Sequence, residues 1–311
     1  MPSPVEKTEK VAKNIERAKE LKQQGSKKTE KVAKNIERAK ELKQQGSLDQ
    51  AIDEFNTALK QAPKSFVALN QLAILYAMQE NWQEVINCCY RILGLRPDSA
   101  TAYLRLAKAC AKQNNLYGAV AAFQKAIELD ANAVKASDYK QHADILTELG
   151  SRKGKKTQAD EAIAAYQKAV ELKSDLPARV HIKLGNALQK EQRFGEAIES
   201  YKKAFQVKPD QSESIYISLG QAQMEEGLID EAIANLQKAV QMKPEIVNVH
   251  RNLGNAYQKK GLLENAMAHY QKAIELNPKA VGSYRLMGDI LRQQGRTSEA
   301  DQYYQRAKSI Q

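Results

Sequence analysis

The feature that most limits what this chain can fold into is a 34-residue period, clearest in residues 247–280. That stretch carries His250, Leu253-Gly254, Tyr257, Gly261, Ala266, Tyr270, Ala273 and Pro278 in order. Apolar residues recur at three- and four-residue spacing on both sides of Gly261, the mark of two amphipathic helices with a glycine stop between them. The segment is therefore an αα-hairpin. The small side chains of Gly254, Ala266 and Ala273 let helices approach closely, and Tyr257 and Tyr270 fill the gaps that remain. One such hairpin buries too little to fold alone, so it needs neighbours on both sides.

Counting back from each small residue that opens a second helix supplies those neighbours. Ala51, Phe55, Ala58 and Pro63 anchor a repeat at about 32–65. Ala73, Tyr76, Trp82 and Pro97 carry the next, 66–99, in which Val85 and Cys89 replace the usual small residue and aromatic. A third, 100–133, shows Tyr103, Leu106-Ala107, Ala119, Phe123 and Ala126. The fourth, about 136–176, opens its second helix at Ala162, seven positions late, and its surplus is a basic run expected to form a surface loop at 151–158. Regular repeats follow at 178–211, 213–246, 247–280 and 281–311.

Upstream of the array, residues 7–26 recur letter for letter as 28–47. Each copy reads as one amphipathic helix, with Val11, Ile15, Ala18 and Leu21 on one face, matched by Val32, Ile36, Ala39 and Leu42. Gly25 or Gly46 is expected to close it. Residues 1–31 thus form a basic segment ahead of an array spanning 32–311. At the other end, Met287, Leu291 and Tyr304 are expected to lie on an uncapped face that meets another copy, was once followed by more protein, or is small enough to tolerate.

The net charge of +11 is concentrated rather than spread. Residues 1–47 hold 13 Lys and Arg against 7 acids, and the run Arg152, Lys153, Lys155, Lys156 adds four more, so the remainder is close to neutral. Neither basic region carries aromatics on which bases could stack, and nucleic acid is not an expected partner. No apolar run approaches the roughly 20 residues of a membrane span. The first residues lack the apolar core of a secretory signal, and a cytoplasmic protein is the expectation. Cys88, Cys89 and Cys110 are too few and too clustered for a disulfide framework and read as reduced core thiols.

No catalytic constellation is visible. His142, His181, His250 and His269 fall in different hairpins or at unmatched spacings, and His181 and His250 sit in an early aromatic slot where packing explains them. Cys88 and Cys89 have no second pair or histidine at zinc spacing. Phosphate loops, dinucleotide fingerprints and serine elbows are absent from the sequence. The tyrosines, including Tyr166, Tyr201, Tyr270 and Tyr304, read as filler between helices. No cofactor or metal is expected.

The order of aromatic, Leu-Gly, aromatic, turn, small residue, aromatic and proline resembles the tetratricopeptide repeat, and the likeness covers eight hairpins from about residue 32 onward. The resemblance implies an all-α fold, an α-solenoid winding as a right-handed superhelix. It also implies a concave groove lined by the second, fifth, sixth, ninth, twelfth and thirteenth residues of each repeat. Those slots hold Arg105, Lys108, Lys112, Lys140, Arg179, Lys183, Lys190, Arg251, Lys259, Arg285 and Arg292, against Asp144, Glu148, Glu225 and Asp289. Asn186, Asn252 and Asn255 add amides able to hold a peptide main chain. The expected function is a protein-interaction scaffold that binds an extended, acidic partner segment. The alternative is a targeting or regulatory region of a larger bacterial enzyme, such as a methyltransferase, sulfotransferase or glycosyltransferase.

Two special forms of the family do not match. Arg251 and Asn255 imitate the first element of a carboxylate clamp, but Leu286 stands where its next Asn belongs. An Asn ladder at the sixth slot is matched by Asn252 alone.

Overall fold

Residues 4–153 and 156–310 are described by the computed structural model; the side chains of residues 4–15, 18, 20, 21, 152, 153, 156 and 157 lie outside the description. The expected apolar face of Val11, Ile15, Ala18 and Leu21, and the basic side chains of Arg152, Lys153, Lys155 and Lys156, therefore fall outside it. The described chain is helical throughout, apart from its turns and a short 3-10 segment at Ala131–Ala133.

It falls into two compact units, Met1–Asp138 and Tyr139–Gln311. The first contains α1 (Pro4–Gln44), α2 (Leu48–Gln61), α3 (Phe66–Met78), α4 (Trp82–Leu95), α5 (Ala100–Lys112) and α6 (Leu116–Leu129). The second opens with α7 (Ala136–Lys153), whose first residues lie before the boundary, paired with α8 (Lys156–Leu172). It continues with α9 (Ala178–Lys190), α10 (Phe194–Val207), α11 (Glu213–Glu225), α12 (Ile229–Met242), α13 (Val247–Lys259), α14 (Leu263–Leu276), α15 (Val281–Gln293) and α16 (Thr297–Ser309). Within each unit the helices pack in consecutive antiparallel pairs, and each pair leans on the next. This is an all-α solenoid of helical hairpins.

The turns show why the pairs form. Gly46, Gly227, Gly261 and Gly295 adopt φ of +78 to +83°, the left-handed backbone that ends a helix. At Gly261 the closing bonds are Gly261 N–H to the Gln258 carbonyl and Leu262 N–H to the Tyr257 carbonyl, both 2.9 Å. Glu80, Asn114 and Gln192 occupy the same slot at φ 57 to 59° without being glycine. First helices also gain side-chain caps: the hydroxyls of Ser65 and Ser99 accept from the backbone N–H of Ala68 and Ala102.

Gly25 does not close a helix. The chain runs helically from Pro4 to Gln44 across both duplicated copies, and the second copy buries Ala39 and half-buries Ile36 and Leu42 against the core around Phe55 and Leu69. Gly150 likewise stays within α7. The insertion in the fourth repeat lengthens both of its helices, to 18 and 17 residues where the later hairpins use 13 or 14, and the loop expected at 151–158 is mostly helix.

In the second unit three hairpins stack a tyrosine ring on a glycine. A Cβ at Gly185 would lie 2.7 Å from the Tyr201 ring, at Gly254 2.3 Å from Tyr270, and at Gly288 2.7 Å from Tyr304. Any residue larger than glycine would displace the ring. Tyr201 and Tyr270 are fully buried, and each such side chain contributes roughly 1.5–3 kcal/mol of burial free energy. The end of the second unit corrects the expectation of an apolar face. Met287 and Leu291 are 2% and 1% exposed, packed with Tyr270, Ile290 and Ala300, and Tyr304 is half-buried. The outward side of α16 is polar, and Met287 and Leu291 do not reach the surface there.

Candidate functional site

Contacts between first helices line them up as one wall in the second unit. Lys183 of α9 donates to Asp144 Oδ1 of α7 at 2.9 Å. Lys259 of α13 donates to the Met224 carbonyl of α11 at 3.2 Å and pairs with Glu225 at 3.6 Å. Gly282 at the start of α15 sits beside the Arg251 guanidinium of α13. In the first unit the corresponding contact is Arg105 of α5 donating to Asn70 Oδ1 of α3 at 2.9 Å.

The basic residues expected to line a groove divide sharply once their partners are known. In the first unit Arg105 is held by Asn70, Lys108 pairs with Asp138 at 2.6 Å, and Lys112 lies 5.7 Å above the Trp82 ring. In the second, Lys140 and Lys183 share Asp144, Lys259 pairs with Glu225, and Arg292 reaches Asp301 at 3.5 Å while stacking on Tyr304. Arg179, Lys190, Arg251 and Arg285 make no ion pair among the described residues. Three of the four acids of the same wall have partners in the fold: Asp144 two lysines, Glu225 Lys259, and Asp289 the Tyr304 hydroxyl at 2.7 Å. Eight bases against four acids stand on this wall, and the surplus sits on side chains that no neighbour neutralises.

Asp144 shows how fully its acid is compensated. Burial alone pushes its carboxyl up, but hydrogen bonds from Lys140, Lys183 and Tyr166 outweigh that and hold it below the ordinary range. Tyr166 donates to Asp144 Oδ1 at 2.5 Å, and burial together with that carboxylate raises the phenol.

The tyrosines do more than fill space. Their rings cover the glycines of the first helices, and their hydroxyls reach the ninth residue of the same hairpin. Tyr201 contacts Asn186 Oδ1 at 2.7 Å and Gln189 Oε1 at 2.8 Å; Tyr270 contacts Asn255 Oδ1 at 2.7 Å and Gln258 Oε1 at 2.8 Å. A phenol has one hydrogen, so it donates to one amide of each pair and accepts from the other once that amide turns its nitrogen inward. Either way both amides are fixed in place. Nothing in the order of letters announced this: a ring required by packing happens to end in a hydroxyl at wall level. Asn252 is the exception among the expected amides, being 4% exposed, with its Nδ2 unpartnered among the described residues, so it cannot reach a ligand on the wall.

Two cavities open along the wall. One, of about 510 Å³, lies between α7 and α9 and includes Thr147, Lys183, Asn186, Gln189 and Lys190. The other, of about 360 Å³, lies between α11 and α13 and includes Ser214, Ser218, Gln221, Asn248 and Arg251.

The histidines hold one surprise. His250 and His269 belong to the same hairpin and meet, Nδ1 to Nδ1, at 3.2 Å. The His250 Nε2–H donates to the Pro244 carbonyl at 2.8 Å, which leaves its Nδ1 to accept from His269. His269 stacks on Tyr257, and burial, with His250 beside it, lowers its pKa. The pair locks α13 to α14. Among the described residues no three metal-ligating side chains gather, and no helix is long and apolar enough to cross a membrane.

Family profiles described as tetratricopeptide repeat match residues 36–84, 100–132, 143–176, 178–211, 247–280 and 269–302, and one described as TPR repeat matches 220–261. No curated protein matches the chain. Among solved structures, the C-terminal part of a TPR repeat-containing protein from Cytophaga hutchinsonii is 18% identical, with a TM-score of 0.55, covering 77% of this chain and 94% of that one. MamA is 27% identical over 52% of this chain and 93% of its own, with a TM-score of 0.47. YrrB, described as a TPR protein with an unusual peptide-binding site, is 23% identical over 61% of this chain and 92% of its own, with a TM-score of 0.48.

Proposed function

Since the chain belongs to the tetratricopeptide repeat family, we propose that it is a protein-interaction scaffold whose second unit binds an extended, acidic segment of a partner protein along the wall of α7, α9, α11, α13 and α15. One observation carries the reading. The acids Asp144, Glu225 and Asp289 are engaged within the fold, whereas Arg179, Lys190, Arg251 and Arg285 have no acid partner among the described residues. A carboxylate arriving on a partner would meet cations whose charge is unspent. The amides of Asn186 and Asn255, already fixed by Tyr201 and Tyr270, supply main-chain contacts without further ordering cost. Charge complementarity of this kind raises encounter rates and selects against basic partners.

The test is fluorescence polarisation with a labelled peptide of about twelve residues rich in Glu and Asp, long enough to cross several hairpins at roughly 3.3 Å per residue. Binding that weakens with added salt is expected, because the Debye length shortens to about 8 Å at physiological ionic strength. Reversing Arg251 and Arg285 together, as R251E and R285E, should abolish it. An unchanged affinity of that double variant at low salt would refute the reading.

A further inference from the structure

Resting on that reading, we infer that the wall holds two carboxylate-binding pockets two hairpins apart, so that the partner segment carries a pair of acidic side chains about six residues from one another. The two cavities present the same chemistry on different helices. In the first, Lys183 is already committed to Asp144, which leaves Lys190 as the cation without an acid partner. Beside it stand Asn186 and Gln189, both anchored by the Tyr201 hydroxyl, and Thr147, whose own hydroxyl donates to the Ala143 carbonyl. In the second, Arg251 is half-buried and makes no ion pair among the described residues. Asn248, Gln221 and the hydroxyls of Ser214 and Ser218 surround it. Glu213 lies at the rim of that cavity, but its charge is matched by Lys243 at 2.6 Å. Each cavity therefore offers one uncompensated cation beside carboxamide donors, a set that suits a carboxylate, whose two oxygens accept several hydrogen bonds at once.

The spacing follows from the fold. The helices α9, α11 and α13 are successive neighbours on the wall, and packed helices lie about 8–10 Å apart, so two steps across cover roughly 16–20 Å. Lys190 ends α9 whereas Arg251 is the fifth residue of α13. That offset of eight positions adds about 12 Å along the helix axis at 1.5 Å per residue. The diagonal is roughly 20–23 Å, which an extended chain rising about 3.3 Å per residue crosses in about six or seven residues. Acids at shorter spacing engage one pocket at a time.

The experiment uses the full chain and a panel of labelled peptides, each with two glutamates in a serine and alanine background at separations from about two to about ten positions. The Glu- and Asp-rich peptide of the previous test serves as reference. Affinity should peak at a separation near six, roughly tenfold above the short separations, the change expected when a second charge-assisted bond is added. Lys190→Glu and Arg251→Glu should each reduce the best-spaced peptide to the affinity of a single-glutamate peptide, with an unchanged helical circular dichroism spectrum. A flat dependence on spacing, while the acid-rich peptide still binds, would overturn the two-pocket arrangement and leave the acidic groove standing. Failure of the acid-rich peptide to bind at low salt would remove both.

Discussion

Replacing Gly254 by alanine puts the packing rule of the second unit to a quantitative test. In an open helix interior this substitution stabilises by about 1 kcal/mol, since alanine loses less backbone freedom on folding. At Gly254 the new methyl would sit 2.3, 2.5 and 2.9 Å from three atoms of the Tyr270 ring. The ring cannot swing away, because it is fully buried and its hydroxyl is tied to Asn255 at 2.7 Å. Overpacking of this kind costs about 1–3 kcal/mol, and a contact as short as 2.3 Å belongs at the upper end of that range, so after the propensity gain of about 1 kcal/mol Gly254→Ala should destabilise by about 1–2 kcal/mol net. For a unit of this size that is a fall in Tm of roughly 3–6 °C, read by thermal circular dichroism. Gly150→Ala is the matched control. It is also helical, its nearest contact would be an ordinary 3.7 Å to Gln158, and it should raise Tm by a degree or two. In a Tyr270→Ala background the penalty at Gly254 should vanish, giving a coupling of about 1 kcal/mol or more. If Gly254→Ala and Gly150→Ala move Tm in the same direction, the glycine is not there to seat the ring.

Three further outcomes follow from the same packing. Gln192 holds a left-handed backbone at φ 59° where related hairpins use glycine; Gln192→Gly should therefore gain about 0.5–1 kcal/mol in urea denaturation, and a loss would show that its side chain, not the turn, matters. His142 is buried and its pKa is lowered to about 4 by that burial. Its folded value lies below its unfolded one of about 6.5, so the unfolded chain binds the proton first. Stability should then fall by up to about 3 kcal/mol as pH drops from about 6.5 to about 4, and His142→Leu should flatten that decline. Burial pushes the thiols of Cys88 and Cys89 up to about 11 and about 12; iodoacetamide at about pH 8 should leave both unmodified in the native chain and label them in denaturant, whereas native labelling at the rate of a free thiol would contradict the packing.

The sequence made the hairpins legible because their slots are filled by steric necessity. Glycine under a ring, a small residue at the crossing and a left-handed turn are local demands that recur every 34 residues. A glycine alone is not a sufficient stop, as Gly25 and Gly150 show. At the turns that do form, the second residue beyond the left-handed position is apolar in six cases, Leu48, Trp82, Leu116, Phe194, Ile229 and Leu263, with Thr297 the exception. That residue begins the returning helix and faces the core it must join. After Gly25 the same place holds Lys27, and after Gly150 it holds Arg152. A lone glycine costs a helix about 1 kcal/mol, too little to break one when nothing downstream rewards the reversal. Stopping is therefore a property of the pair, glycine plus anchor.

Charge was legible only as a count. The eleven basic residues of the expected groove are equivalent in sequence, yet the fold divides them into those with partners, such as Lys183 on Asp144, and those without, such as Lys190 seven positions later. That division depends on contacts between helices dozens of residues apart, which no local pattern encodes. It also explains why Tyr201 matters twice. Its ring seats Gly185, and its hydroxyl fixes Asn186 and Gln189 beside the unpaired Lys190. The group that packs the hairpin thus also orders the wall. A change to the ring disturbs stability and the wall together, whereas loss of the hydroxyl alone releases two amides and leaves the core filled.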